Sequence, residues 1–214
     1  MKKTITLLLA LALCLSLCAC SNSNAELETE TLGLLDDSFA YCHAGMLYML
    51  RAWDFSIKHS SDSTTEEYVA LWSEFGTYMG MTEDDMVDGL IGGCGYTIEL
   101  LSKANDPARG LNTAIDGMLF MDTVHSVPTA RYIFEQRNND TDNADRLEQI
   151  KENLKTIGEK SKSYDLLKEY YLLVSEMENW IESPNGSYNS SSSSLTDYEK
   201  KAESIKQELD LIIN

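Results

Sequence analysis

Apolar residues recur at helical spacing along almost the whole chain, and nowhere do they alternate as a half-buried strand requires. Leu35, Phe39, Cys42, Met46, Met49 and Trp53 step by 4, 3, 4, 3 and 4, one stripe of a helix running to about His59. After "SSDSTTEE", Thr64 and Glu67 form a capping box for a second helix carrying Val69, Trp72, Phe75 and Met79. Thr82 and Asp85 open a third, with Val87, Ile91, Cys94, Ile98 and Leu101 on its stripe. Asn105-Asp106-Pro107 is a stop and restart, continued by Leu111, Ile115, Met118 and Asp122, and Pro128 reads as a break or kink.

The polar run 138–145 is a boundary, followed by the longest periodic segment: Leu147, Ile150, Leu154, Ile157, Leu166, Tyr170, Leu173, Met177 and Trp180. Unbroken from 142 to 182, it would be one helix of ~60 Å, with Gly158 and residues 160–163 as the place to bend or split. Residues 183–194, "SPNGSYNSSSSS", read as a turn and flexible loop. Thr196 and Glu199 then cap a last helix with Tyr198, Ala202, Ile205, Leu209 and Ile212 on one face. The expected fold is all-α: a helical bundle with a long helix and a C-terminal antiparallel helical hairpin. Residues 31–137 supply the bundle, and 138–214 supply the long helix and hairpin, packed with it as one domain.

At 214 residues and 43% hydrophobic, the chain can bury a core without staples. It carries 35 acidic and 17 basic residues, and Lys2 and Lys3 precede the first apolar run. Without its first 19 residues the balance is 15 minus 35, or −20. Nucleic acid needs clustered Lys and Arg, so the balance argues against it as a partner and equally disfavours a polybasic grip on lipid. An acidic surface of this kind serves solubility.

Met1-Lys2-Lys3 and "TITLLLALALCLSL" make a short basic region and an apolar stretch of about 14 residues, too short to span a bilayer and suited to a secretory signal. It ends in Leu17-Cys18-Ala19-Cys20, which resembles the lipobox of bacterial lipoproteins. Cys14 and Cys18 have Leu at the preceding position, so only Cys20 fits that pattern. The resemblance implies that residues 1–19 are a signal peptide removed by type II signal peptidase, between Ala19 and Cys20. It also implies that the Cys20 thiol carries diacylglycerol. Two acyl chains give stable anchoring, so the expected location is the extracytoplasmic face of the cell membrane, with 20–30 as a flexible tether. The C-terminal hairpin is also similar to those of helical bacterial lipoproteins to which no activity is attached.

Other constellations are weaker. "GLIGGCGY", residues 89–96, lacks the Gly-Lys-Ser/Thr and preceding strand of a phosphate loop. With Gly89 and Gly93 one turn apart, it reads as a face approached closely by another helix, or a break; a ligand pocket on exposed backbone is the alternative. Cys42 and Cys94 are the thiols left after Cys20, and they either pair as a disulfide or are two buried residues that never meet. Asn138, Asp140 and Asp142 have calcium-loop spacing, but Asn143 and Gln149 replace the required glycine and glutamate. They read as caps, as do the acids of 82–88.

His43, His59 and His125 show no metal spacing, and no nucleophile elbow is present. No catalytic, cofactor or metal residue is expected. The missing motifs weigh against an enzyme without deciding it. The expected function is a membrane-anchored binding or interaction module; the alternatives are a cell-envelope enzyme of unrecognised type or the solute-binding component of a transporter.

Overall fold

The computed structural model describes residues 2–59, 65–94, 123–138 and 140–213, with side chains for 24–59, 71–94, 126–138 and 142–213. Among these residues there are seven helices and no strand. They are α1 (Lys2–His59), α2 (Thr65–Met79), α3 (Glu83–Cys94), α4 (Thr123–Asn138), α5 (Asp140–Ile157), α6 (Tyr164–Glu182) and α7 (Tyr188–Ile213). The protein is all-α, as the periodicity requires. Its long helix is α1, with 58 residues. The restart at 105–107, the stripe from Ile98 to Met118 and the Thr64 cap lie outside the described residues.

The chain divides into two compact units. The first comprises residues 1–39, 143–175 and 198–214. Its interior is built from Thr31, Leu35 and Ser38 of α1, Ile150, Leu154 and Ile157 of α5, Leu167, Tyr170 and Leu173 of α6, and Ala202, Ile205 and Leu209 of α7. Ser161 Oγ donates to Glu28 at 2.5 Å and Tyr170 Oη to Asp36 at 2.9 Å, so α1 and α6 rise in parallel. Lys201 meets Glu169 at 3.2 Å and Lys206 meets Asp36 at 3.0 Å on α7, which returns antiparallel after the hairpin turn.

Two expectations change in this unit. Residues 20–30 are helical rather than a tether. Thr31 is fully buried and bonds its hydroxyl to the Leu27 carbonyl at 2.6 Å, and Gln149 Nε2 donates to Glu30 at 2.9 Å. Leu27 and Thr31 continue the Leu35 stripe backwards, and that extends the apolar face by two turns. The 142–182 segment is two helices, not one. Gly158 takes φ +74° and donates its N–H to the Leu154 carbonyl at 3.0 Å, the left-handed ending that glycine adopts without strain. The Ser163 carbonyl then accepts from Leu167 N–H at 2.9 Å to begin α6.

The second unit comprises residues 40–142 and 176–197. One core cluster gathers Ala52 and Phe55 of α1, Trp72, Phe75 and Met79 of α2, Met81, Leu90 of α3, and Ala130 and Ile133 of α4. Pro128 does not break the path; it lies inside α4 as the sixth residue, where its missing N–H removes one bond near the helix start. The loop expected at 183–194 is shorter than its composition suggests, because α7 already begins at Tyr188. Ser187 and Ser190 cap it reciprocally, backbone N–H to hydroxyl, at 2.9 and 3.2 Å. Gly186, at φ +90°, makes the turn, and the Asn185 carbonyl accepts from Trp180 Nε1 at 3.3 Å.

Candidate functional site

The α2–α3 hairpin in the second unit is braced by side chains from α1 and α4. Gly80 takes φ +67°, and Met81 N–H reaches back to the Gly76 carbonyl at 2.8 Å, which closes α2. Three carbonyls still point out of the helix end, and each is met by a side chain from another helix. Arg51 donates to the Tyr78 carbonyl and lies 4.3 Å above the Tyr78 ring. Tyr48 Oη donates to the Met79 carbonyl at 3.2 Å, and burial holds that phenol above its ordinary pKa, so it stays a donor. Arg137 donates to the Gly80 carbonyl at 2.9 Å. Two guanidinium charges at a helix C-terminus also complement its dipole.

The start of α3 is fixed as the Thr82/Asp85 spacing predicts. Asp85 Oδ2 accepts from Thr82 N–H at 2.7 Å and from its hydroxyl at 2.8 Å, while Asp85 N–H donates to Thr82 Oγ1 at 3.1 Å. Arg137 also reaches Asp85 Oδ2 at 2.7 Å. The Thr82 backbone and hydroxyl bonds, then Arg137, hold the Asp85 carboxyl below its usual 3.8.

This bracing holds open a hollow of about 410 Å³ between α2 and α3. Its walls are Trp72, Met81, Met86, Val87 and Leu90, with Glu83 among the residues that line it. Trp72 is buried, and among the described residues its indole N–H has no acceptor. Val87 is 41% exposed. The stripe expected for α3 put Val87, Ile91 and Cys94 inward; Gly89 and Leu90 are the buried residues, Cys94 packs half-buried against the core, and Val87 is exposed.

The glycines explain the rotation. A Cβ on Gly89 would stand 2.5 Å from Thr129 Cγ2, one on Gly92 2.1 Å from the Tyr132 ring, and one on Gly93 2.4 Å from the Pro128 carbonyl oxygen. So α3 packs on α4 through bare backbone, the close approach that "GLIGGCGY" suggested.

Cys42 and Cys94 are not bonded to each other and have separate partners. Cys42 Sγ donates to Glu178 Oε2 at 3.1 Å in a buried pair, and Cys94 Sγ lies 3.5 Å from Thr129 Oγ1. The candidate disulfide is therefore not formed. His59 stacks on Phe55 with ring centroids 4.3 Å apart, and His43 is half-buried on α1. The side chains of His125 and Cys20 lie outside those described. Among the described residues no three His, Cys, Asp or Glu side chains gather as a metal-binding group. Asn138 bonds its own helix at the Phe134 carbonyl, and Asn143 is buried and accepts from Arg146 at 3.2 Å. Among the described residues, no helix is long and apolar enough to cross a membrane.

Compared with known protein families, curated proteins and solved structures, the chain matches none.

Proposed function

We propose that the chain is a lipoprotein, anchored by diacylglycerol on Cys20 to the extracytoplasmic face of the cell membrane, that acts as an interaction module through its α2–α3 hollow. The lipobox at residues 17–20 supports the anchor. The observation that carries the module is the braced hollow of mixed lining, with Met81 and Met86 in its wall, Ser73, Thr77 and Thr82 as its polar side chains and Val87 exposed at its edge. Methionine walls adapt to irregular side chains. An open hollow beside Glu83, on a chain that is −20 once the signal is removed (15 basic minus 35 acidic), fits a protein partner offering an apolar side chain flanked by a basic one.

The test uses the intact chain in its membrane, crosslinked at the cell surface and recovered. Cys20→Ala is expected to leave the detergent phase, and partitioning like the parent would remove the anchor. Val87→Asp is exposed and should keep the parent melting temperature while losing the crosslinked partner at least tenfold. Undiminished recovery would remove the hollow from the reading.

A further inference from the structure

The chain has nine methionines, and six of them lie among the described side chains. Met46, Met49 and Met177 are fully buried, Met79 is 3% exposed and Met81 8%. Met86 alone of the six is half-buried, and it lines the α2–α3 hollow. A Cβ on Gly76 would stand 3.3 Å from Met86 Cγ and 3.4 Å from its Sδ. Gly76 lines the same hollow, so the thioether is seated in the wall, against a point of α2 that carries no side chain. The backbone beneath it is fixed. Met86 N–H donates to the Thr82 carbonyl at 3.1 Å, inside the cap that Asp85 and Arg137 hold.

A thioether in that position has a chemistry that its buried counterparts lack. Hydrogen peroxide reaching the sulfur transfers one oxygen atom to it: a sulfur lone pair forms the S–O bond, the O–O bond breaks, and the second oxygen leaves as water with both protons. The sulfur loses two electrons and the peroxide gains them. The product is a sulfoxide, polar where the thioether was apolar, and reducible enzymatically to the starting side chain. An apolar group seated in the hollow would have to strip water from that S=O oxygen, and burying a polar group without a full set of hydrogen bonds is costly.

Resting on the reading of the hollow as a partner site, we infer that Met86 is an oxidation site that switches it. As the thioether, Met86 completes the apolar part of the wall with Met81, Val87 and Leu90. As the sulfoxide it turns the occupant away, while the braces on both helix ends keep the hairpin folded. The five other described methionines stay reduced because their burial bars the oxidant.

The experiment has two readouts on the full chain. In the first, brief hydrogen peroxide treatment that leaves the melting temperature unchanged is followed by mass spectrometry of the peptides. Met86 is expected to oxidise at least about tenfold faster than Met46, Met49, Met79 and Met177, with Met81 behind it. Equal rates, or Met81 ahead of Met86, overturn the site. In the second, cells are treated in the same way and the partner is crosslinked at the surface and recovered. Recovery is expected to fall at least about tenfold for the parent and to be restored by a methionine sulfoxide reductase. Met86→Leu, a swap that conserves volume and keeps Cys94, is expected to hold its recovery through peroxide. Met86→Gln, polar from the start, is expected to lose the partner without peroxide at the parent melting temperature. Recovery that falls equally for the parent and Met86→Leu overturns the switch and leaves the hollow standing. Absence of any partner from untreated cells overturns the hollow reading and the switch together, whatever the mapped rates.

Discussion

Gly93 shows how much can rest on one missing methyl group. An alanine Cβ there would meet backbone, the Pro128 carbonyl oxygen at 2.4 Å and its carbon at 2.7 Å, and neither can rotate away. Gly93→Ala is expected to destabilise the second unit by about 1–3 kcal/mol. Gly33 is also helical, but nothing lies within 4 Å of its added Cβ, so Gly33→Ala should stabilise by up to about 1 kcal/mol. Urea denaturation of the two variants checks the opposite signs. The cluster of glycines in residues 89–95 announced a close helix contact. It did not announce which face of α3 made it, because a period count scores apolar side chains and treats glycine as a gap. Here the glycines were the face, and Val87 was left outside. The Cys42–Glu178 pair was equally hidden: the two residues are 136 positions apart and belong to helices whose facing sides only the fold defines.

At the level of elements, the Thr82 capping signal was readable and the Thr196 one was not: α7 starts eight residues earlier, and Thr196 donates its hydroxyl to the Ser192 carbonyl inside that helix. Thr82 with Asp85 forms the reciprocal bonds its spacing implies, and Gly158 ends a helix where glycine was the one residue suited to a left-handed turn. The serine tract misled because serine weakens helices only on average; Ser187 and Ser190 cap α7 and the following serines simply continue it. The braces on α2, from Tyr48, Arg51 and Arg137, had no local signal, since each donor comes from another helix. Asp85 gives this element a pH dependence. Its folded pKa is depressed, so the stability it contributes is present above the ordinary value of 3.8 and is lost as the pH falls through the lower folded value. Melting temperature measured from pH 6 to 2.5 should therefore fall less steeply at the acid end for Asp85→Asn than for the parent. The variant should be less stable than the parent at pH 6, and parallel curves would show that Asp85 is not the group responsible.

For the whole molecule, the helical class was legible from periodicity alone, because periodicity is a local property of the chain. The α2–α3 hollow was not, since it needs the C-terminal half of α2 and the outer side of a rotated α3 brought together. Charge is the property that acts on every part at once. The net charge of −20 over residues 20–214, from 15 basic and 35 acidic residues, works against compaction. Raising sodium chloride from 10 to 300 mM should raise the melting temperature of the domain lacking its signal, because screening relieves more repulsion than it removes from the exposed ion pairs. Calorimetry at the two salts decides it, and a falling temperature would mean that pairs such as Lys206–Asp36 dominate. The continuity of α1 has one more consequence. A flexible leash would leave the first unit free to spin about its attachment. A helix running from Cys20 into the interior sets an azimuth as well as a distance, and each residue added or removed between Cys20 and Glu28 would turn position 20 by about 100° around the helix axis.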